Sequence, residues 1–455
     1  MVLVFAGFGF FGDFVAFFIF ANASPLFCKE RRALYTNDCR CQSTFLNDSG
    51  NFRFMHLLAV ETALETVLSA VVPLAEEQVA IDEALGRAVA KTVVSARTLP
   101  PWDNSAMDGY AVRSADAVGP GVRLKVVERI FAGDRPKKTI EAGQCARIMT
   151  GAPLPTGADA VLMQERTLAS EDWVELLEAV PAQSAVRRAG EDTRKGQVLL
   201  AAGTVIGIPE AGMLWAQGMT GVTVRRRPRV AIASSGDELC SVGDEPGDRI
   251  VDTNSPSIAA AVRRAGGEPT MLGLSPDRLD AVKALFSRGL DFDVLITSAG
   301  ASVGERDFAK EALEALGVKM DFWKVAMKPG KPLAVGRRNS TYVFGLPGNP
   351  TSSLVTFELF VRPALRALQG LPAVAFVLGG RLAVPIKKAA GLRHFIRATV
   401  ELRGGELWAT ALSTQSSGAL SSAASATHLI SVPPETLVLA VGDPITLIPV
   451  SWSGG

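Results

Sequence analysis

Histidine is nearly absent: His56, His394 and His428 are the only three in 455 residues, and they lie far apart. That scarcity excludes a metal site built on imidazoles, so a metal here would take oxygen donors and would be a hard cation such as Mg²⁺. Cysteine is sparse too. Its five positions, 28, 39, 41, 145 and 240, are odd in number and contain no CxxC spacing, which fits neither a disulfide framework nor a zinc site. A reducing, cytoplasmic compartment is expected. Charge of one sign is also lacking, since 47 Lys and Arg meet 46 Asp and Glu. The balance leaves no basic field for nucleic acid and no acidic tail, and any anionic ligand must be held by local geometry. No internal repeat is evident.

What is present is uneven. Residues 1–54 hold 12 of the 22 Phe and three of the five Cys, and residues 1–20 form an apolar run broken by Asp13 and several Gly. The run is long enough for a membrane anchor, with Lys29, Arg31 and Arg32 behind it. It also resembles a signal peptide cleaved near Ala21-Asn22-Ala23, but it lacks the positive start. The reading adopted is a non-native or disordered extension with Met55 as the true first residue, without stable membrane association. From Met55 an amphipathic helix is predicted, with Leu57, Val60, Leu64, Val67 and Val71 on one stripe.

Residues 55–71 and 82–91 carry helical periodicity, and the pattern breaks at Pro100-Pro101. Short β-type runs separated by turn clusters follow from Val122 to Val180. The basic run Arg225-Arg226-Arg227 before Pro228 reads as a solvated linker. Between 229 and 370, apolar runs at 229–233, 269–274, 293–297, 332–335 and 342–346 alternate with helical segments, the sequence form of a βαβ sheet covered on both faces. Asn254 or Ser255 can cap a helix with Pro256 in its first turn, and Asn349-Pro350 can start the long helix to Leu368. Further strand-like runs after Gly370 indicate a last β domain. The predicted class is multidomain α/β plus β. It has a helical-linker domain (55–99 and 188–227), a small β domain (100–187), a central α/β sandwich domain with a mostly parallel sheet (228–370) and a C-terminal β-barrel-like domain (371–455).

Four glycine- and proline-punctuated loops in the second half carry the reactive groups: Ser234–Glu238, Ser298–Asp307, Lys328–Lys331 and Leu346–Pro350. Loops at the carboxyl ends of parallel strands bind phosphorylated ligands through backbone N–H groups and helix N-termini. Gly236, Gly300, Gly304, Gly330 and Gly348 permit close approach to an anion. Lys328 and Lys331 serve as point charges for phosphate or oxyanion, and Asp237, Glu238 and Asp307 are candidate Mg²⁺ carboxylates. A rival reading comes from Gly300-Ala301-Ser302-Val303-Gly304, which matches the G-x-S-x-G elbow of serine hydrolases. Ser302, however, should lie in mid-loop, away from any direct strand-to-helix turn.

Longer blocks narrow the choice. PPWDNSAMDGYAV (Pro100–Val112), RIMTGAPLPTGADAVLMQE (Arg147–Glu165), AGEDTRKG (Ala189–Gly196), SSGDEL, DTNS (Asp252–Ser255), VGERD, KPGKPLAVG and GLPGNPTSS closely resemble the molybdopterin molybdenumtransferase family, MoeA and the E domain of gephyrin. The match spans Met55 to Val450. The resemblance implies an elongated homodimer and the last step of molybdenum cofactor synthesis. In that step adenylylated molybdopterin and molybdate enter and AMP leaves, with Mg²⁺ required. It implies cleft roles for Asp103, Asp108, Thr150 and Asp192 across the dimer interface, and Mg²⁺ and pyrophosphate roles for Glu238 and Asp307, with Asp277 nearby. Ser298, Gly300, Lys328 and Lys331 would hold molybdopterin phosphate or molybdate, Pro347, Gly348 and Asn349 would shape the floor, and Arg397 and Ser417 would reach in from the last domain. Two points stay open. DNSAMDG also reads as a turn framework in which Asn104 and Ser105 bond their own backbone, and Asp277 also reads as a helix N-terminal acid.

One departure is Ser298-Ala299-Gly300 where the family usually has Ser-Gly-Gly. The same resemblance admits a molybdopterin adenylyltransferase or a receptor scaffold, but the former lacks the flanking β domains and the latter carries a fused upstream domain. Molybdopterin adenylyltransferase and molybdoenzymes are then the expected protein partners.

Overall fold

The computed structural model describes residues 42–46, 52–298, 308–373 and 377–453. The chain divides into two units, residues 1–56 and 57–455. In the first, the strands Gln42–Leu46 and Phe52–His56 form an antiparallel hairpin; the apolar run 1–20 lies outside the described residues. Among the described residues no helix is long and apolar enough to cross a membrane.

The centre of the second unit is a six-stranded sheet in the order Glu268–Ser275, Arg229–Ser235, Val294–Ser298, Thr341–Leu346, Ala334–Arg338, Lys319–Phe322. Its first four strands are parallel and the next two pairings are antiparallel. Alternate residues of the buried strands feed different cores: Val230, Ile232, Val294, Ile296 and Phe344 enter one, Ala231, Ala233, Leu295 and Val343 the other. Burial on both faces explains why these strands read as continuous apolar runs. The long helix predicted from Pro350 to Leu368 is continuous but contains a π-helical segment, Phe357–Val361. There the fully buried Glu358 pairs with Arg362 at 2.9 Å and accepts hydrogen bonds from the Ser451 backbone and hydroxyl.

Two sheet systems flank this centre. One is a six-stranded β sheet in the order Thr167–Ala169, Trp173–Leu176, Arg123–Ile130, Gln144–Ile148, Gly109–Val112, Ala160–Met163. The other is a closed five-stranded barrel in which Arg393–Arg403 pairs with both Glu406–Ala411 and His428–Val432, and Leu378–Leu382 and Pro444–Pro449 complete the ring. A shared core of residues from 79–93 and 199–224, including Ile81, Val89, Leu214 and Val224, joins chain segments separated by the β sheet. The strands Glu76–Ala80 and Gly221–Arg225 pair within it.

Three expectations are corrected. The first helix begins at Val60, later than Met55, because Leu58 is drawn into extended pairing with Lys324 to Ala326. The periodic stretch 82–91 forms only a 3₁₀ turn, Asp82–Ala84. Gly86 adopts φ +75°, and Ala88 and Val89 then bridge to Val205 and Val224, so tertiary pairing overrides helical periodicity. The Arg225–Arg227 run is an anchor, not a solvated linker. Arg226 makes a bidentate pair with Asp293 at 2.6 Å, Arg225 donates to the Leu74 carbonyl and Arg227 to the Gly266 carbonyl.

Candidate functional site

The four parallel strands end at Ser235, Ser275, Ser298 and Leu346, so their following loops share one edge of the sheet. The loops are tied to one another. Asn254, first residue of the helix Asn254–Arg264, donates from Nδ2 to Ser298 Oγ and to the Gly348 carbonyl, both at 2.8 Å. Its side chain is available for this because Asp252 caps the helix. Asp252 Oδ1 accepts from the backbone N–H of Asn254 and Ser255, and Oδ2 accepts from Ser255 Oγ, which also meets Ser234 Oγ at 2.9 Å. Neither Asn254 nor Ser255 therefore caps the helix as expected. A side chain outside the helix, Asp252, carries out the capping.

Beside this, Gly236 donates to the Ser275 carbonyl and Asp237 Oδ1 accepts from the Asp277 backbone N–H at 3.1 Å. The acids Asp237, Glu238 and Asp277 thus sit on two adjoining loops, with Asp237 and Glu238 exposed. The helix after Asp277 starts at Leu279 and is N-capped by Arg278. Asp307 and Gly300 lie outside the described residues, as does Ser302. The strand before that segment ends at Ser298 and the helix after it begins at Phe308, which is not the direct strand-to-helix turn a nucleophile elbow requires.

At Leu346 the backbone continues through buried Pro347 to exposed Gly348 and Asn349, the N-cap of the long helix. The Asn349 side chain makes no capping bond, and the residue is exposed at the helix N-terminus, where partial positive charge accumulates. The helix start is held from the barrel side as well: Thr351 donates to the Ser417 carbonyl from its backbone and to the Ala419 carbonyl from its hydroxyl. Arg397 is fully buried beneath that loop, and its Nη2 donates to the carbonyls of Thr414 and Ser416 at 3.0 Å. Its Nε and Nη1 have no hydrogen-bond partner among the described residues.

The Lys328–Lys331 loop joins the barrel, since Met327–Lys328 pairs in parallel with Arg393 and His394. Gly330 adopts φ +99° and packs so closely on Thr356 that a Cβ would approach its methyl to 2.4 Å. Lys324 is a cation that sequence reasoning missed. The Val325 N–H donates to the Lys331 carbonyl, which sets Lys324 beside that loop, and burial followed by the charges of Lys331 and Lys310 lowers its pKa. Its only signal in the sequence is a spacing of four residues before Lys328. Burial, then Lys388 and Lys328, lowers His394 to about 4. Burial, with the two lysines adding to it, favours the neutral imidazole.

A second cluster lies in the β domain. Asp103 accepts from the Ala189 N–H at 2.7 Å and from Arg188 Nη1 at 2.9 Å. Asp108 Oδ1 accepts from both the Thr150 N–H and its hydroxyl, at 2.7 and 2.8 Å. Hydrogen bonds to the charged form lower both pKa values, from Ala189 first for Asp103 and from Thr150 for Asp108. Ser105 Oγ bonds the Met107 carbonyl and Asn104 Nδ2 the Trp102 carbonyl, so DNSAMDG does form a self-bonded turn framework. Asp192 is exposed, with its backbone N–H on the Leu99 carbonyl.

Anion-ready loops at the carboxyl edge of a largely parallel sheet, stitched to a closed β barrel and flanked by a β domain with an acidic turn cluster, define a multidomain protein for phosphorylated ligands. Comparison with known proteins specifies the family. Residues 58–218 match the MoeA N-terminal region (domain I and II), residues 231–367 a probable molybdopterin binding domain, and residues 379–450 the MoeA C-terminal region (domain IV). The molybdopterin molybdenumtransferase of Haemophilus influenzae is 39% identical over 301 residues, covering 66% of this chain and 74% of that protein. Molybdopterin molybdenumtransferase 2 of Mycobacterium tuberculosis is 36% identical over 381 residues, covering 80% and 92%. The crystal structure of the molybdopterin biosynthesis MoeA protein from Pyrococcus horikoshii OT3 superposes with a TM-score of 0.76 at 27% identity, over 86% of this chain and all of that one. The chain belongs to the MoeA, molybdopterin molybdenumtransferase, family.

Proposed function

We propose that this protein inserts molybdenum into adenylylated molybdopterin with release of AMP, the final step of molybdenum cofactor synthesis. The observation that carries this reading is the cross-tying of the 234–238, 252–255, 298 and 346–350 segments by Asp252, Asn254 and Ser255 at one sheet edge, in a chain whose relatives bear the name molybdopterin molybdenumtransferase. Lys328 and Lys331, with Lys324 beside them, supply charge for phosphate and molybdate. Ser298, Gly348 and Asn349 supply a hydroxyl and backbone groups at the floor, with Gly300 in the same loop as Ser298 and Pro347 shaping that floor. Such pre-set donors stabilise the charge that develops on the departing phosphate without reorganising during the reaction. Arg397 acts through the 414–417 loop it supports, and Ser417 through its carbonyl on Thr351. The described cysteines, Cys145 and Cys240, are buried, and burial pushes the Cys145 thiol up to about 12. The substrate dithiolene supplies the soft sulfur ligands that molybdenum takes up.

Mg²⁺ fits one donor arrangement. Among the described residues no three His, Cys, Asp or Glu side chains assemble a metal cluster, but Mg²⁺ at phosphates is commonly held by one or two carboxylates plus substrate oxygens. Glu238, with Asp307 of the following loop, would hold it in that way and Asp277 would lie close by. The bound cation would neutralise pyrophosphate charge.

Asp103, Asp108, Thr150 and Asp192 complete the site from a second subunit of a homodimer. The test is subunit complementation. Glu238→Ala and Thr150→Ala homodimers are each expected to fail in AMP release from adenylylated molybdopterin with molybdate and Mg²⁺. Co-refolded mixtures should recover about a quarter of wild-type activity, because half of the dimers are mixed and each carries one intact composite site. Mixtures as inactive as their parents would overturn the shared site, and wild-type protein that releases no AMP would overturn the reaction.

A further inference from the structure

The β domain contains a cleft of about 740 Å³ that neither loop cluster uses. It adjoins the Asp108–Thr150 pair through Met149. Across its floor, three neighbouring strands bring Tyr110, Arg147 and Arg129 into one register row. Arg147 lies over the Tyr110 ring at 4.9 Å, donates to the Gly109 carbonyl and Gln164 Oε1, and is close enough to Asp108 for its charge to act on that carboxyl. Arg129 and Arg147 stand side by side on parallel strands and both line the cleft, so an anion entering it meets two guanidinium groups. Phe131, 54% exposed, stands on the cleft wall and offers an aromatic face to solvent. Glu165 and Glu171 add carboxylate acceptors.

We propose that this cleft binds a purine nucleoside monophosphate. Two guanidinium groups receive the phosphate as charge-assisted hydrogen-bond donors. Phe131 provides a planar surface for the base, and the two glutamates accept from ribose hydroxyls or an exocyclic amine. The cleft falls within the range of small-molecule sites, roughly 300–1,000 Å³. Choosing AMP among nucleotides rests on the reaction proposed above, which would release it.

Calorimetric titration of the full chain with AMP, adenosine and inorganic phosphate tests the inference without turnover. AMP should bind saturably and about ten-fold more tightly than either fragment. Arg129→Ala, at an exposed position, and Arg147→Gln should each weaken AMP about ten-fold. Arg123→Ala, on the same strand but outside this cleft, should leave AMP affinity unchanged. AMP binding no tighter than phosphate, or unaltered by Arg129→Ala and Arg147→Gln, would sink the nucleotide site. A protein that turns over but shows that result loses only this inference, whereas AMP bound here without molybdenum insertion loses only the reaction.

Discussion

The two acidic loop clusters use their carboxylates in opposite ways. In the β domain, Asp103 and Asp108 spend their oxygens on the protein itself, on Ala189 and Arg188 and on Thr150. At the α/β edge, bridging is done by a neutral amide, Asn254, and by a capping acid, Asp252, while Asp237 and Glu238 stay exposed. One cluster is a framework of charged hydrogen bonds. The other is a set of tied loops on which Asp237, Glu238 and Lys328 are exposed.

This contrast can be broken experimentally, and the largest effect is expected at the α/β edge. Glu238→Ala should reduce AMP release by roughly a hundred-fold or more, as loss of a group that stabilises developing charge does, with the thermal midpoint unchanged. A drop below ten-fold would move the charge chemistry away from that loop. Glycines give a matched structural pair. Gly330→Ala meets both a positive φ and the Thr356 methyl, whereas Gly151, at φ +82°, has open space around its would-be Cβ. The first substitution should cost about 2–4 kcal/mol and the second about 1 kcal/mol, read from denaturant midpoints. Equal costs would mean that the 328–331 loop relaxes as freely as the β domain turn.

Asn254→Ala should lower activity about ten-fold through loosened loops, each lost bond contributing about 1 kcal/mol. If activity falls without any change in substrate KM, the bridging role is wrong. The smallest effect is a pH dependence in the β domain. The pKa of Asp103 is lowered from 3.8, so its stabilisation is fully present above that value and is lost as pH falls through the lowered one. Urea midpoints of Asp103→Asn should therefore approach those of wild type as pH drops below about 3.8. A wild-type advantage that persists in stronger acid would show that the Asp103 charge is irrelevant.

Some of this architecture was readable in advance for physical reasons. Three of the four parallel strands are buried on both faces, so their apolar runs stand out. Five of the six strands of that sheet are legible; Lys319–Phe322, exposed at two of its four positions, is not. The closed C-terminal barrel was legible as alternating runs with turns between. The Asn254 bridge was not, because its sequence, DTNSP, reads as an ordinary helix start, and only the approach of Ser298 and Gly348 in space shows what the amide does. Arg397 was marked as a ligand group, yet burial and its bonds to Thr414 and Ser416 make it a support for the loop. Leu58 and the 82–91 stretch misled because extended pairing with distant strands outweighed local periodicity.

By itself the sequence determined the class of fold and the family, because burial periodicity, glycine turns and long motif blocks are local properties of the chain. Tertiary structure decided which groups within those loops are engaged and which face solvent. Arg225–Arg227 became an anchor and Asn254 a clasp only when segments tens of residues apart were brought within hydrogen-bonding distance. Such bonds depend on geometry to a few tenths of an ångström, which no pattern of residue types along the chain can specify.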